Sequence, residues 1–332
     1  MSRQSELAQL GRVFDNSALS NRNVLINGNF DVWQRGTSGS STVFFVADRW
    51  KNFGIGSSNS VSQQTFIVGQ TDVPDEPQFF HRSVVTSSAG VGNLALTQQR
   101  IEDVRTFAGK TVTLSFWAKA DSSKNIAVEF SQVFGAGGSA GVYGIGVQTC
   151  NLTSAWQKFT VTASLPSVSG KTIAASSSLD LDFWMDAGSD YNSRTNSLGQ
   201  QSGTFDIAQV QLELGDTATP FEHRSYGQEL ALCQRYCQIS LSTSGKGNSS
   251  GTLGAWIVPL SPRMRATPSV TLRSLTYHVD EYWTLARSIS GVSYLYGYGE
   301  AGNGVGIVAA VPCNAFAQLG LEAGAFMFDA EL

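Results

Sequence analysis

Charge is scarce in this sequence. Asp, Glu, Lys and Arg make up 14% of the 332 residues, with 22 basic against 26 acidic side chains and no basic block, so nucleic acid and anionic membrane are excluded as expected partners. Histidine is scarcer still: His81, His223 and His278 stand alone, and no Walker loop, GxSxG elbow or HExxH run occurs. The expectation is a protein that is not an enzyme, although a glycosidase needs only two carboxylates and would escape such a scan. Four cysteines, Cys150, Cys233, Cys237 and Cys313, are too few and too scattered for a disulfide framework. Cys233 and Cys237 stand four apart with no third and fourth ligand arranged nearby, which suits small packing residues better than a metal site. No charged-then-apolar leader opens the chain and no apolar run approaches about 18 residues, so the expectation is neither signal peptide nor membrane span, and a product made in a cytoplasm.

What is abundant is glycine, 34 residues, together with small polar residues and aromatics at 11%. That mixture suits many short strands joined by tight turns. From Val24 onward the pattern is strand, turn, strand, with Val24–Trp33, Val43–Phe53, Ser60–Val68, Phe79–Ser87 and Leu94–Ile101 as strands. The clearest is Lys110–Ala120, where Val112, Leu114, Phe116 and Ala118 face one way and Trp117 and Lys119 the other. Ile126–Val133, Val142–Val147, Gln157–Leu165, Leu179–Met185 and Phe205–Leu214 continue the series. Eight to eleven such strands predict an all-β, two-sheet antiparallel sandwich over residues 24–224.

The stretch GTFDIAQVQLELGDTATPFEHRSYGQELALCQRYCQ, Gly203–Gln238, reads as the last strand of that sandwich, a Gly/Pro turn, and a linking helix over 225–241. Ser225 three residues before Gln228 has capping-box spacing, and Tyr226, Leu230, Cys233 and Cys237 form an apolar stripe that wants burial against the same chain or against copies of it. Residues 1–23 carry Leu7, Leu10 and Phe14 at helical spacing, a short amphipathic arm that packs back on its own domain or docks onto another component. STSGKGNSS, Ser242–Ser250, reads as a hinge. Beyond it, 242–332 reads as a second, smaller β domain.

Sugar binding needs aromatic faces for pyranose rings with polar side chains beside them. Alternation places Asp180, Asp182, Trp184 and Asp186 on the face of their strand opposite Leu179, Leu181, Phe183 and Met185, and Trp117 stands on the polar face of its strand. Either tryptophan could equally pack under a loop or a sister subunit. Tyr294, Tyr296 and Tyr298 share one strand face and offer rigid, amphipathic contact area.

NVLINGNFDVWQRGTS, ADRW, LELGDTATPFEHRSYGQELALCQRYCQ and MRATPSVTL together resemble bacteriophage tail-fibre and virion-appendage proteins whose middle part is similar to jelly-roll carbohydrate-binding modules. The resemblance spans roughly Ser2–Leu272. It implies a jelly-roll fold for the sandwich and a virion protein assembled in the bacterial host. It also implies a homotrimer joined through the Tyr226, Leu230, Cys233 and Cys237 helix and anchored to other virion proteins by Leu7, Leu10 and Phe14. The function implied is host attachment through surface polysaccharide or lipopolysaccharide; a head-decorating or connector protein and a polysaccharide depolymerase are the alternatives. No cofactor is required, but jelly-roll modules commonly hold a structural calcium after an Asn-Gly-x-Phe-acidic motif. Here that would fall to Asn29, Asp31 and Asp206, unless Asn27–Gly28 merely turns the chain and leaves Asp31 exposed.

Overall fold

The computed structural model describes residues 21–240 throughout and, beyond them, 243–247, 253–266, 268–273, 276–279, 286–288, 290–295, 304–310, 318–321 and 326–331. The chain divides into two compact units between Glu229 and Leu230. No helix among the described residues is long and apolar enough to cross a membrane.

The first unit is a sandwich of two six-stranded antiparallel sheets. In the first, β1 (Ser38–Ser40), β4 (Ser58–Thr65), β5 (Phe79–Thr86), β12 (Gly203–Leu214), β7 (Thr111–Ala120) and β10 (Gln157–Ser164) lie side by side in that order. In the second the order is β2 (Val43–Phe45), β3 (Trp50–Ile55), β6 (Leu94–Glu102), β11 (Ser178–Ala187), β8 (Lys124–Val133) and β9 (Val142–Leu152). Only β2–β3, β4–β5 and β8–β9 are consecutive strands within one sheet; every other connection crosses the sandwich. That is the jelly-roll type of all-β fold. Between the sheets Leu114, Phe116, Leu181, Phe183, Phe205 and Ile207 are fully or almost fully buried in one core, the apolar faces that the two-residue alternation predicts.

Strand β12 departs from simple alternation. Phe205, Ile207, Val210 and Leu212 all enter the core, a spacing of two, three and two, because a bulge between Ala208 and Gln211 shifts the register against β7. Gln209, inside that bulge, has φ 46°. The extra residue resets which face the following side chains take.

Val24–Trp33, expected as a strand, is a chain of turns. Asn27 and Phe30 sit at φ 59° and 56°, and side chains replace the missing ladder. Asn27 Nδ2 donates to the carbonyls of Val32 (2.8 Å) and Asp48 (3.0 Å), while its Oδ1 accepts from Val32 N (3.0 Å) and Trp50 Nε1 donates to Asn27 O (2.9 Å). Asn23 likewise accepts from Leu25 N and Leu212 N and donates to Val210 O. Buried backbone groups must be paired, and these asparagines pair them. Gly28 is required by close approach: a Cβ there would stand 2.2 Å from Val210 O.

The later motif block closes on this segment. Glu222 accepts from Asn23 N (2.8 Å), Arg224 Nη1 donates to Leu25 O (2.9 Å), and Glu229 accepts from Asn27 N. Burial pushes the Glu229 carboxyl up, against the opposing pull of the Asn27 amide and Arg224. Two of the four sequence stretches that carry the family resemblance thus form one hydrogen-bonded lock at the end of β12.

The division between units falls within helix α1 (Tyr226–Gln234). Its capping box forms, Ser225 N donating to Gln228 Oε1 (3.1 Å) and Gln228 N to Ser225 Oγ (3.4 Å). The helix ends three residues before Cys237, which lies in β13 (Cys237–Ile239). The predicted stripe is therefore broken: Cys233 and Cys237 are fully buried, Leu230 is half-buried, and Tyr226 is 60% exposed. The two buried cysteines cannot supply the subunit interface expected of them.

In the second unit β13, β22 (Phe326–Asp329) and β16 (Ser269–Leu272) form a three-stranded sheet. A seven-stranded sheet runs in the order β18 (Ala286–Ser288), β17 (Thr276–Val279), β21 (Gln318–Leu321), β14 (Thr243–Gly247), β15 (Leu253–Pro259), β20 (Gly304–Ala310) and β19 (Ser290–Leu295). The Ser/Gly-rich stretch expected as a hinge supplies β14, paired on both sides, to β15 and β21. Ladder hydrogen bonds come from the backbone, so a central strand needs no large side chains.

Candidate functional site

On the outer face of the second sheet, the expected Trp184 platform is closed. Every residue of β11 is buried, with Trp184 1% exposed and Asp186 fully covered. The β11–β12 connection folds back over the face, placing Tyr191 and Leu198 against Trp184. Trp184 Nε1 donates to Glu129 Oε1 at 3.0 Å. Arg194, from a single helical turn Asn192–Thr195, is ion-paired to Glu129 and lies 3.5 Å from Asp182. Its guanidinium stacks between Tyr143 (4.6 Å) and Trp184 (4.9 Å).

The carboxylates are engaged in the same way. Asp186 accepts from Ser57 Oγ, Ser87 Oγ and Gln201 N, Asp182 from Gln98 Nε2, and Asp180 from Ser178 Oγ with Arg100 at 3.4 Å. Burial pushes the Asp182 carboxyl well up, and the nearby charges of Asp180 and Glu129 push it further; burial raises Asp180 as well. Asp182, Trp184 and Asp186 therefore fasten the connection to the sheet, Asp180 is held within the sheet by Ser178 and Arg100, and none of the four offers a surface to a sugar.

The outer face of the first sheet is only partly covered, by Phe66 and Val73 of the β4–β5 connection. There Trp117 is half-buried and looks into a depression of about 340 Å³. Lys158 on β10 is directly opposite Trp117, while Ala208 on β12, its partner on the other side, is buried with Phe66, Val73 and Phe80 in a cluster against which Trp117 packs, so the row presents a cation beside a half-buried indole. Cross-strand neighbours of this kind have Cβ atoms about 5 Å apart. Ser115 and Gln209 lie deeper, and Asp75, Thr219 and Phe221 form the rim. Thr219 is fixed by Glu213, which accepts from its amide (2.8 Å) and its hydroxyl (2.7 Å); the rim is held by the same motif block that builds the lock.

Alongside lies an aromatic cluster. Phe66, Phe80 and Trp156 meet at centroid distances of 4.8–5.3 Å, and Lys119 stands 5.1 Å above Trp156. Arg82 bonds Asp206 through two nitrogens, Nε to Oδ1 at 2.7 Å and Nη2 to Oδ2 at 2.8 Å, and that bond raises the Arg82 pKa. The face combines rings with fixed polar groups, the chemistry of a saccharide site.

The residues do not fit the implied calcium. Asp206 gives both oxygens to Arg82 and has Lys119 at 3.8 Å, a cationic setting where a hard cation would be repelled. The Asn27–Asn29 turn docks instead at Val210, whose amide donates to Gly28 O (2.8 Å). That is four residues along β12 from Asp206, on the order of 10–13 Å. Asp31 accepts from Asn29 Nδ2 (3.0 Å), and burial raises its carboxyl. Among the described residues no group of three or more His, Cys, Asp or Glu lies together to hold a metal ion.

Tyr294 lies in β19 opposite Ile307, while Tyr296 and Tyr298, like Leu7, Leu10 and Phe14, lie outside the described residues. Sequence reading reached Trp117 but missed Lys158, Gln209 and Trp156. Lys158 becomes a neighbour only through the β7–β10 register, and Gln209 only through the bulge, whose trace in the sequence is the two-three-two spacing of apolar residues.

No protein-family model and no curated protein matches the sequence. Among solved structures, the chain is similar to the enzymatically active domain of tailspike protein 4 of bacteriophage CBA120, at 15% identity and TM-score 0.32 over 58% of this chain and 22% of that one; the match spans about a fifth of the tailspike domain. It is similar to a family 11 carbohydrate-binding module of Clostridium thermocellum, 14% identical with TM-score 0.33 over 55% of this chain and 98% of the module. A third is the xylan-binding domain CBM22-1 of Paenibacillus barcinonensis Xyn10C, 11% identical with TM-score 0.33 over 61% and 100%. At that similarity the likeness bears on neither ligand nor activity.

Proposed function

We propose that this chain is a structural subunit of a phage virion, a fibre or spike protein that holds host surface glycan on the outer face of its first sheet without cleaving it. The observation that carries the glycan reading is the Trp117 depression, an indole half-open to solvent beside Lys158 and above Gln209. The phage resemblance of the two motif blocks supports the virion part, with assembly into a homotrimer and anchoring through the N-terminal arm as its corollaries. Non-catalytic binding is favoured because Asp75 is the one carboxylate among the residues lining the depression, whereas glycoside hydrolysis uses a facing pair.

The test is gold labelling of intact virions with an antibody to this chain, combined with an adsorption assay on virions carrying Trp117→Ala. Label at the tail together with lost adsorption is the expected result. Label over the head with unchanged adsorption would assign the chain to capsid decoration and end the attachment reading.

A further inference from the structure

Gln209 is 2% exposed and lines the Trp117 depression. Its Nε2 donates to Pro74 O at 2.9 Å; because a carbonyl only accepts, this bond settles which end of the amide is which. Oε1 is then left buried with no partner among the described residues. The side chain is delivered by a left-handed residue, φ 46°, at the bulge of β12. A non-glycine residue held in that region, in a strand whose bulge re-aims one side chain, is the kind of strain that collects at binding sites. A carbonyl oxygen in that position asks for a donor, a hydroxyl or an amide N–H.

The second demand comes from charge. Of the two charged side chains lining the depression, Asp75 has His223 Nε2 at 3.5 Å, while Lys158 is exposed and forms no ion pair among the described residues. Lys158 is the cross-strand partner of Trp117. A pyranose stacked on the indole would therefore carry its exocyclic group within reach of the flexible ammonium while a ring hydroxyl points down to Gln209.

We infer that the Trp117 depression selects a hexuronic acid unit of an acidic polysaccharide, with the ring on Trp117, the carboxylate on Lys158 and a hydroxyl donating to Gln209 Oε1. This rests on the glycan-binding reading above and adds the substrate class. The experiment is an array of hexuronate-containing bacterial polysaccharides, each printed beside its carboxyl-reduced copy, probed with the full chain at about 0.15 M salt, where longer-range charge is screened.

Wild type is expected to bind at least one acidic form more tightly than its reduced copy, on the order of tenfold, as a charge-assisted contact provides. Lys158→Gln, an exposed change that the fold tolerates, is expected to bring that preference close to one. Gln209→Leu is expected to weaken acid and reduced forms alike. Equal binding of acid and reduced forms, lost in Trp117→Ala, would leave the glycan reading standing and overturn the hexuronate assignment. No Trp117-dependent binding to any printed glycan would overturn both.

Discussion

His81 shows how burial sets the chemistry of a single side chain. It is completely buried, contacts the rings of Phe30 and Trp33, and lies 3.2 Å from Asn52 Oδ1 through Nε2. Because Oδ1 accepts, Nε2 carries the proton and Nδ1 is left without a partner. Burial brings the pKa down to about 3. Above about pH 6.5 the residue is neutral both folded and unfolded; below it the unfolded chain gains a proton that the native site refuses, so stability is lost as pH falls. The loss is about 1.4 kcal/mol per pH unit, or about 2 kcal/mol between pH 7 and 5. The buried carboxyls of Asp180 and Asp182, raised by burial, work in the opposite sense. Comparing urea denaturation of wild type with His81→Phe at each pH cancels their contribution: the gap is expected to shift by that amount toward the variant, and parallel curves would contradict the assignment.

At the scale of elements, the bulge in β12 decides more than any single contact. Were the strand to continue past Ala208 with every residue in place but without the bulge, plain alternation would turn Val210 and Leu212 outward and bring Gln211 and Glu213 to the core. Lost burial alone would cost about 3–6 kcal/mol for the two residues. Gln209→Gly keeps the residue count and suits the left-handed backbone. A β-branched residue is strained at that φ, so Gln209→Val is expected to unfold at lower urea than Gln209→Gly, and equal midpoints would show that the bulge does not depend on a left-handed residue.

The contrast between β7 and β11 explains what could be read from the sequence at this scale. Alternation in β7 gave the correct inner face, and Trp117 on the other side is half-buried, with one side packed and the other facing the depression. The same alternation in β11 correctly set Trp184 apart from Leu181 and Phe183, yet Trp184 is covered, because the covering comes from Tyr191, Arg194 and Leu198. Period-two patterning reports which side of a strand a residue takes; it carries no information about a loop that returns over that side. Val24–Trp33 failed for a related reason: Leu25, Phe30 and Val32 are buried, but asparagine side chains and two isolated backbone bonds to β12, Val24 N to Leu212 O and Val210 N to Gly28 O, stand in place of a continuous ladder.

For the whole molecule, the sandwich was legible from strand number and spacing, and the jelly-roll type from the motif resemblance, because both follow from local pattern. The site was half legible, since a tryptophan on the polar face of a clear strand is visible in sequence whereas its neighbours Lys158 and Gln209 depend on pairing between distant segments. The two motif blocks explain themselves only together: Asn23, Asn27 and Gly28 meet Val210, Glu222, Arg224 and Glu229 in one lock, and the same block holds Thr219 on the rim of the depression. A rim fixed in this way reduces the ordering cost of capturing a ligand.

The most direct test is a binding measurement on purified bacterial surface polysaccharides, with wild type, Trp117→Ala and Trp184→Phe compared after circular dichroism confirms that all three are folded. The first-sheet account predicts that Trp117→Ala abolishes binding and that Trp184→Phe leaves it unchanged, since Trp184 is sealed beneath Arg194 and Tyr191. Lost binding in Trp184→Phe with full binding in Trp117→Ala would place the ligand on the opposite sheet and contradict the account.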